Sequence, residues 1–185
     1  RRSHASPKPD LGFCSTCASR DRPWRREPCW KPWRPVAEPA PWQTPETLVL
    51  VSRLLSSHQR AFHRPLVDCS GHDLFSSDVA VLAHDNSRDP LLIYANATAL
   101  RLWERPWEDM IGMPSRYTAE AEARSQRDSA LQQAKQGDAF EGYSGVRVSR
   151  TGQRFMISNA RIWTLWDETG RHCGQAAAFS SWFRL

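Results

Sequence analysis

The 185 residues contain no stretch that approaches the roughly 18 to 20 consecutive apolar residues of a membrane-spanning helix. The apolar run Leu48 to Leu55 is interrupted by Ser52 and Arg53. No secretory-type apolar core precedes the five cysteines, and their odd number and irregular spacing argue against a disulfide framework. These features predict a soluble, intracellular chain in a reducing compartment, with the cytoplasm favoured and a plastid-like organelle left open. A phosphate-cradling loop is lacking too, because Gly142-Tyr143-Ser144-Gly145 has neither the Lys nor the following helix that such a loop needs. Excess charge is scarce where it would matter. The chain carries a net +5, but residues 1–46 hold nine Lys/Arg against five Asp/Glu, which leaves +1 for the remainder. A nearly neutral folded part gives a nucleic acid no electrostatic footprint. No direct nucleic-acid binding is therefore expected, and no membrane partner.

What is present divides at about Thr44. Nine of the thirteen prolines lie between Pro7 and Pro45, interleaved with Trp24, Trp30, Trp33 and Trp42, and no apolar periodicity survives there. Proline at that density removes backbone donors and fixes φ, so residues 1–43 read as a disordered Pro/Trp/Arg-rich tail and residues 44–185 as one folded domain. Because the chain begins at Arg1 rather than Met, the tail also reads as a partly cleaved extension, its acidic residues arguing against an organelle leader.

Thr44-Pro45-Glu46 is a helix start, with a capping hydroxyl, a proline suited to the first turn and an acid at the positive end. Leu48, Val51, Leu55, His58 and Phe62 then recur at spacings of three and four on a helix ending before Pro65. Leu48, Val51, Leu55 and Phe62 form a heptad-like seam that either crosses the domain's own sheet or meets the same helix of a second chain, and a homodimer is the favoured reading. His58 on that face reads as a core or boundary histidine, since no second ligand lies one turn away.

Val79–His84 and Leu91–Tyr94 read as two strands around a turn. Asn96 caps a short helix to about Glu104, and Trp107–Ile111 forms another helical turn ending at Gly112. Thr118 is placed as the cap of a longer, mostly polar helix from Ala119 to Gln136. Three antiparallel strands follow, Phe140–Ser149, Phe155–Trp166 and Cys173–Trp182. In the first of them Phe140, Val146 and Val148 are expected to face inward, with Glu141, Arg147 and Ser149 outward. In the second the apolar parity changes near Asn159, which predicts a bulge or a second buried face.

Two clusters have spacings that chemistry uses. Cys14 and Cys17, with Cys29 beyond, form an incomplete zinc set, and no metal site is assigned. Asp68-Cys69-Ser70-Gly71-His72-Asp73 brings a thiol, an imidazole and carboxylates close in sequence, but nucleophile and base usually come from separate elements. The plain loop is the preferred reading, and an enzyme using Cys69 and His72 the least favoured.

This element order is that of PAS domains. Leu92–Leu100 resembles the PAS stretch in which a strand ends at an Asn that caps the next helix, and Trp107–Gly112 resembles the helical turn that follows. More specifically, Ser115-Arg116-Tyr117-Thr118-Ala119-Glu120, Tyr143-Ser144-Gly145-Val146-Arg147-Val148-Ser149 and Gly174-Gln175-Ala176-Ala177 resemble the MEKHLA family, from about residue 47 to the C-terminus. The resemblance implies an α+β fold, a PAS-like antiparallel sheet of about five strands with helices on one face plus the N-terminal helix. It implies a non-enzymatic sensory or protein-interaction module that acts through dimerisation or a partner protein. No cofactor is expected: the Asn-Cys dipeptide of flavin-binding light-oxygen-voltage domains is missing, and the long helix offers no histidine to haem. The alternative is a small apolar ligand held between sheet and helices, with Trp103, Tyr117, Tyr143, Phe155, Ile157, Trp163 and Phe179 as candidate lining.

Overall fold

The first helix, α1 (Pro45–Phe62), is held at both ends as its sequence dictates. The Thr44 hydroxyl accepts from the Thr47 N–H at 3.3 Å, and the chain exits through His63 in the left-handed region at φ 55°. The computed structural model describes residues 38–67, 73–120 and 124–185, and the unit built from them begins at Glu38. Chain docking thus starts ahead of the boundary read at Thr44. Pro41–Gln43 form a 3-10 turn, and the half-buried Trp42 ring stacks on Phe75 with centroids 4.1 Å apart.

After α1 come β1 (Ala80–Asp85), β2 (Leu92–Ala95), α2 (Ala97–Trp103), α3 (Trp107–Met110), α4 (Arg124–Gly137), β3 (Ala139–Val148), β4 (Arg154–Trp166), β5 (His172–Phe179) and β6 (Ser181–Arg184). The strands form one antiparallel sheet in the order β2-β1-β5-β4-β3. The last predicted strand is broken at Ser180, and its outer part, β6, continues along β4 beside Phe155–Ser158. The Ser115–Thr118 segment is a 3-10 turn leading into extended backbone at Ala119, so Thr118 is not the cap of α4, and its hydroxyl donates to the Ser115 carbonyl at 2.8 Å.

Both faces of the sheet are covered. On one, α2, α3 and α4 enclose a core with Trp103, Phe155, Ile157, Ile162 and Phe179. On the other, α1 lies across β4, burying Leu54 beside Trp163, Leu165, Ala176 and Ala178. The small residues of β5 make this central strand thin. A Cβ built on Gly174 would sit 2.2 Å from the His84 carbonyl oxygen, so β1 and β5 approach there only because that residue is glycine.

Asn96 joins the layers. Fully buried, it accepts through Oδ1 from the Val81 and Ala99 N–H groups and donates through Nδ2 to the Leu74, Ser77 and Val79 carbonyls. One side chain thereby caps α2, fixes the start of β1 and holds the 3-10 turn Leu74–Ser76.

The seam residues of α1 face two ways. Val51, Leu55 and Phe62 pack against the sheet core, whereas Leu48 is 54% exposed, next to Val49 at 53%. His58 is fully buried, its ring edge-on to Trp163 at 4.9 Å. Its Nε2 accepts from Arg161 Nη1 at 3.0 Å, so Nδ1 carries the proton and donates to the Arg64 carbonyl at 3.1 Å. Burial and then the Arg161 charge lower its pKa from 6.5 to about 4.

Candidate ligand cavity

The inner face of β3 follows from its glycines. At Gly142, φ is 91°, and the pairing with β4 shifts there, from Glu141↔Arg161 to Tyr143↔Ala160. A second shift sets Gly145 opposite Ile157, so Ser144 faces both Ser158 and Asn159, the latter left-handed at φ 53°. This is the bulge expected near Asn159. The first shift reverses the alternation read from the sequence: Tyr143, Gly145, Arg147 and Ser149 are buried, while Val146 and Val148 are only partly so. Arg147, expected on the outer face, is 6% exposed.

Tyr143, Gly145 and Arg147 are successive residues of one strand face, and the middle one has no side chain. Arg147 Nη2 donates to the Tyr143 phenol oxygen at 3.0 Å, with the guanidinium carbon 5.1 Å from the ring centroid. A Cβ at Gly145 would lie 2.5 Å from that phenol oxygen and 3.2 Å from Arg147 Nη1. Gly145 is thus the space in which the two side chains meet. Arg147 Nη1 donates to the Val146 carbonyl at 2.8 Å, and among the described residues no carboxylate pairs with this guanidinium.

Tyr143 and Arg147 line a cavity of about 50 Å³ between the sheet and the helices. Trp103, Ile157, Ile162 and Phe179 supply its apolar wall, Ala160 and Ala177 widen it, and the buried Ser115 and Thr118 bring hydroxyls. Trp103 is fixed by an Nε1–H bond to the Thr118 carbonyl at 3.0 Å and by edge-on packing against Phe155 at 5.1 Å. That volume has room for a few water-sized groups.

Four of the seven candidate lining residues, Trp103, Tyr143, Ile157 and Phe179, line this cavity. Phe155 is buried behind Trp103. Trp163 is fully buried on the opposite face of the sheet, against His58 and Phe62. Tyr117 is 47% exposed, with the Arg116 guanidinium over its ring at 4.6 Å. Arg147, Ser115 and Thr118 were missed, and the Tyr-x-Gly-x-Arg spacing on one strand was the signal available for the first. The cysteines Cys14, Cys17 and Cys29 and the loop with Cys69 and His72 lie outside the described residues. Among the described residues no helix is long and apolar enough to cross a membrane.

The family model for the MEKHLA domain matches residues 48–184. Among solved structures, the photo-excited blue-light photoreceptor Vivid is similar at 17% identity with a TM-score of 0.53, over 77% of this chain and 97% of that one. The light-state dimer of the same fungal photoreceptor has a TM-score of 0.51 at 17% identity, over 77% and 97%. A PAS domain from Colwellia psychrerythraea matches at 14% identity with a TM-score of 0.51, over 71% and 97%. These likenesses establish the PAS-type fold. A comparison with curated proteins gave no match.

Proposed function

The chain belongs to the MEKHLA domain family, and we propose that it is a non-enzymatic regulatory module of the PAS-like sensory type, reading a ligand in its cavity and acting through a protein contact. The observation that carries this reading is the division of the sheet into two covered faces. One face encloses a lined cavity, and the other carries α1, held to β4 through His58 and Arg161. A change in the cavity bears on the same strands that support α1, because Ile162 and Trp163 are neighbours in β4 on opposite faces.

The outward contact is assigned to five of the large apolar residues that the fold leaves exposed, Leu48 and Val49 on α1 and Trp182, Phe183 and Leu185 in and after β6. Self-association is the form favoured, with a different protein partner as the alternative. Sedimentation across a wide concentration range tests it. A reversible dimer is expected, weakened at least tenfold by Leu48→Asp with the circular dichroism spectrum unchanged. A wild-type chain that stays monomeric and retains no protein from native extract contradicts this reading.

A further inference from the structure

Arg147 is more than nine-tenths buried and faces the cavity, with no carboxylate of the described residues to balance it. A guanidinium does not shed its proton at any ordinary pH, so burial cannot be relieved by neutralisation as it can for lysine or histidine. The charge must be balanced by a group in the cavity or by water there. Two of its five N–H donors are engaged by the Tyr143 phenol and the Val146 carbonyl, which leaves three for another acceptor. Those two bonds also hold the planar fork in place.

We propose that the cavity binds a small organic anion, a monocarboxylate of about two or three carbons, with its carboxylate on Arg147 and its alkyl end among Trp103, Ile157 and Phe179. The size follows from the small volume, which suits acetate or propionate better than a fatty acid or a nucleotide. The preference for a carboxylate over an inorganic anion follows from the lining, which sets a single charged group against an otherwise largely apolar wall. Carboxylate geometry matches the guanidinium fork, and the low surrounding polarity strengthens the pair. The inference rests on the reading of the chain as a sensory module and names its input.

The test uses the full chain, with propionate as the probe. Thermal unfolding is followed in sodium propionate, in sodium chloride of the same concentration, and in propionamide, the neutral isostere. A saturable rise of several degrees in Tm is expected with propionate alone, with millimolar half-saturation. Tyr143→Phe should weaken the half-saturation several-fold and Arg147→Met at least tenfold. Equal shifts in propionate and chloride, or a shift in propionamide as large as in propionate, would overturn the proposal. So would no shift at all, which would mean that water alone solvates Arg147. The propionamide arm is read on wild-type protein, so it stands even if Arg147→Met does not fold. A negative result leaves the sedimentation outcome untouched, which separates failure of this inference from failure of the module reading.

Discussion

The phenol oxygen of Tyr143 and Nη2 of Arg147 are 3.0 Å apart across a residue that has no side chain. In a regular strand, side chains at i and i+4 on one face are separated by the one between them. Here Gly145 removes that separation, and the aromatic ring and the cation share a site that solvent barely reaches. This places a buried positive charge in the wall of a cavity that is otherwise mostly apolar.

Gly145→Ala is therefore expected to destabilise the protein although alanine is the better strand residue. The new methyl would meet the Tyr143 phenol oxygen at 2.5 Å, and either the ring or β3 must move. A loss of about 1 to 3 kcal/mol is expected, read as a lower urea midpoint. An unchanged midpoint would show that the two side chains do not occupy this space.

Asn96→Ala removes a group that makes five hydrogen bonds to the backbone. Three carbonyls and two N–H groups would lose their side-chain partner in a buried place, and a loss of about 3 kcal/mol or more is expected. Asn96→Asp should be no milder, since it turns a carboxylate oxygen toward three carbonyls. Urea denaturation of both variants checks this, and a loss below about 1 kcal/mol in either would contradict the network.

Much of this fold was legible because its signals are local. Thr44, Pro45 and Glu46 announce α1, Asn96 announces α2, and the β3-β4-β5 meander follows from turns such as Asp167–Gly170, whereas the pairing of β1 with β5 is long-range. The cavity was legible only in part, because hydrophobicity does not say which side of a sheet a residue faces. Trp163 and Ile162 are both buried, yet they point to opposite layers. The shift at Gly142 changes which residues of β3 point inward, so plain alternation puts the polar Arg147 outward and Val146 and Val148 inward, the reverse of the structure. The apolar face of α1 was visible too, but not that most of it covers its own sheet rather than a second chain.

The docking of α1 separates its seam residues by stability. Leu55, partly buried, packs against the core that α1 covers, so Leu55→Asp should cost about 2 to 4 kcal/mol or unfold the chain. Leu48, at 54% exposure, should tolerate Asp within about 0.5 kcal/mol when both proteins are melted at concentrations low enough to be monomeric. Circular dichroism melts of the two variants give the comparison. Equal losses would mean that α1 does not lie on the sheet in this orientation.

His58 makes stability depend on pH. Its folded pKa of about 4 lies below its ordinary value of 6.5, so on acidification the unfolded chain takes up the proton first. Its contribution is complete above about pH 6.5 and is lost as pH falls from there through about 4, by on the order of 2 kcal/mol. Protonation would also put a donor where Nε2 now accepts from Arg161. The difference in unfolding free energy between wild type and His58→Gln, measured from pH 7.5 to 4, should therefore shrink toward acid. A difference independent of pH would contradict a buried neutral imidazole.

Tyr143 and Arg147 form one buried unit in the cavity wall. A double-mutant cycle on urea unfolding tests it most directly, using Tyr143→Phe, Arg147→Met and the double variant. A coupling of about 1 to 3 kcal/mol is expected, because each residue is the other's partner in a site with little access to water. Losses that add to within about 0.3 kcal/mol would contradict it.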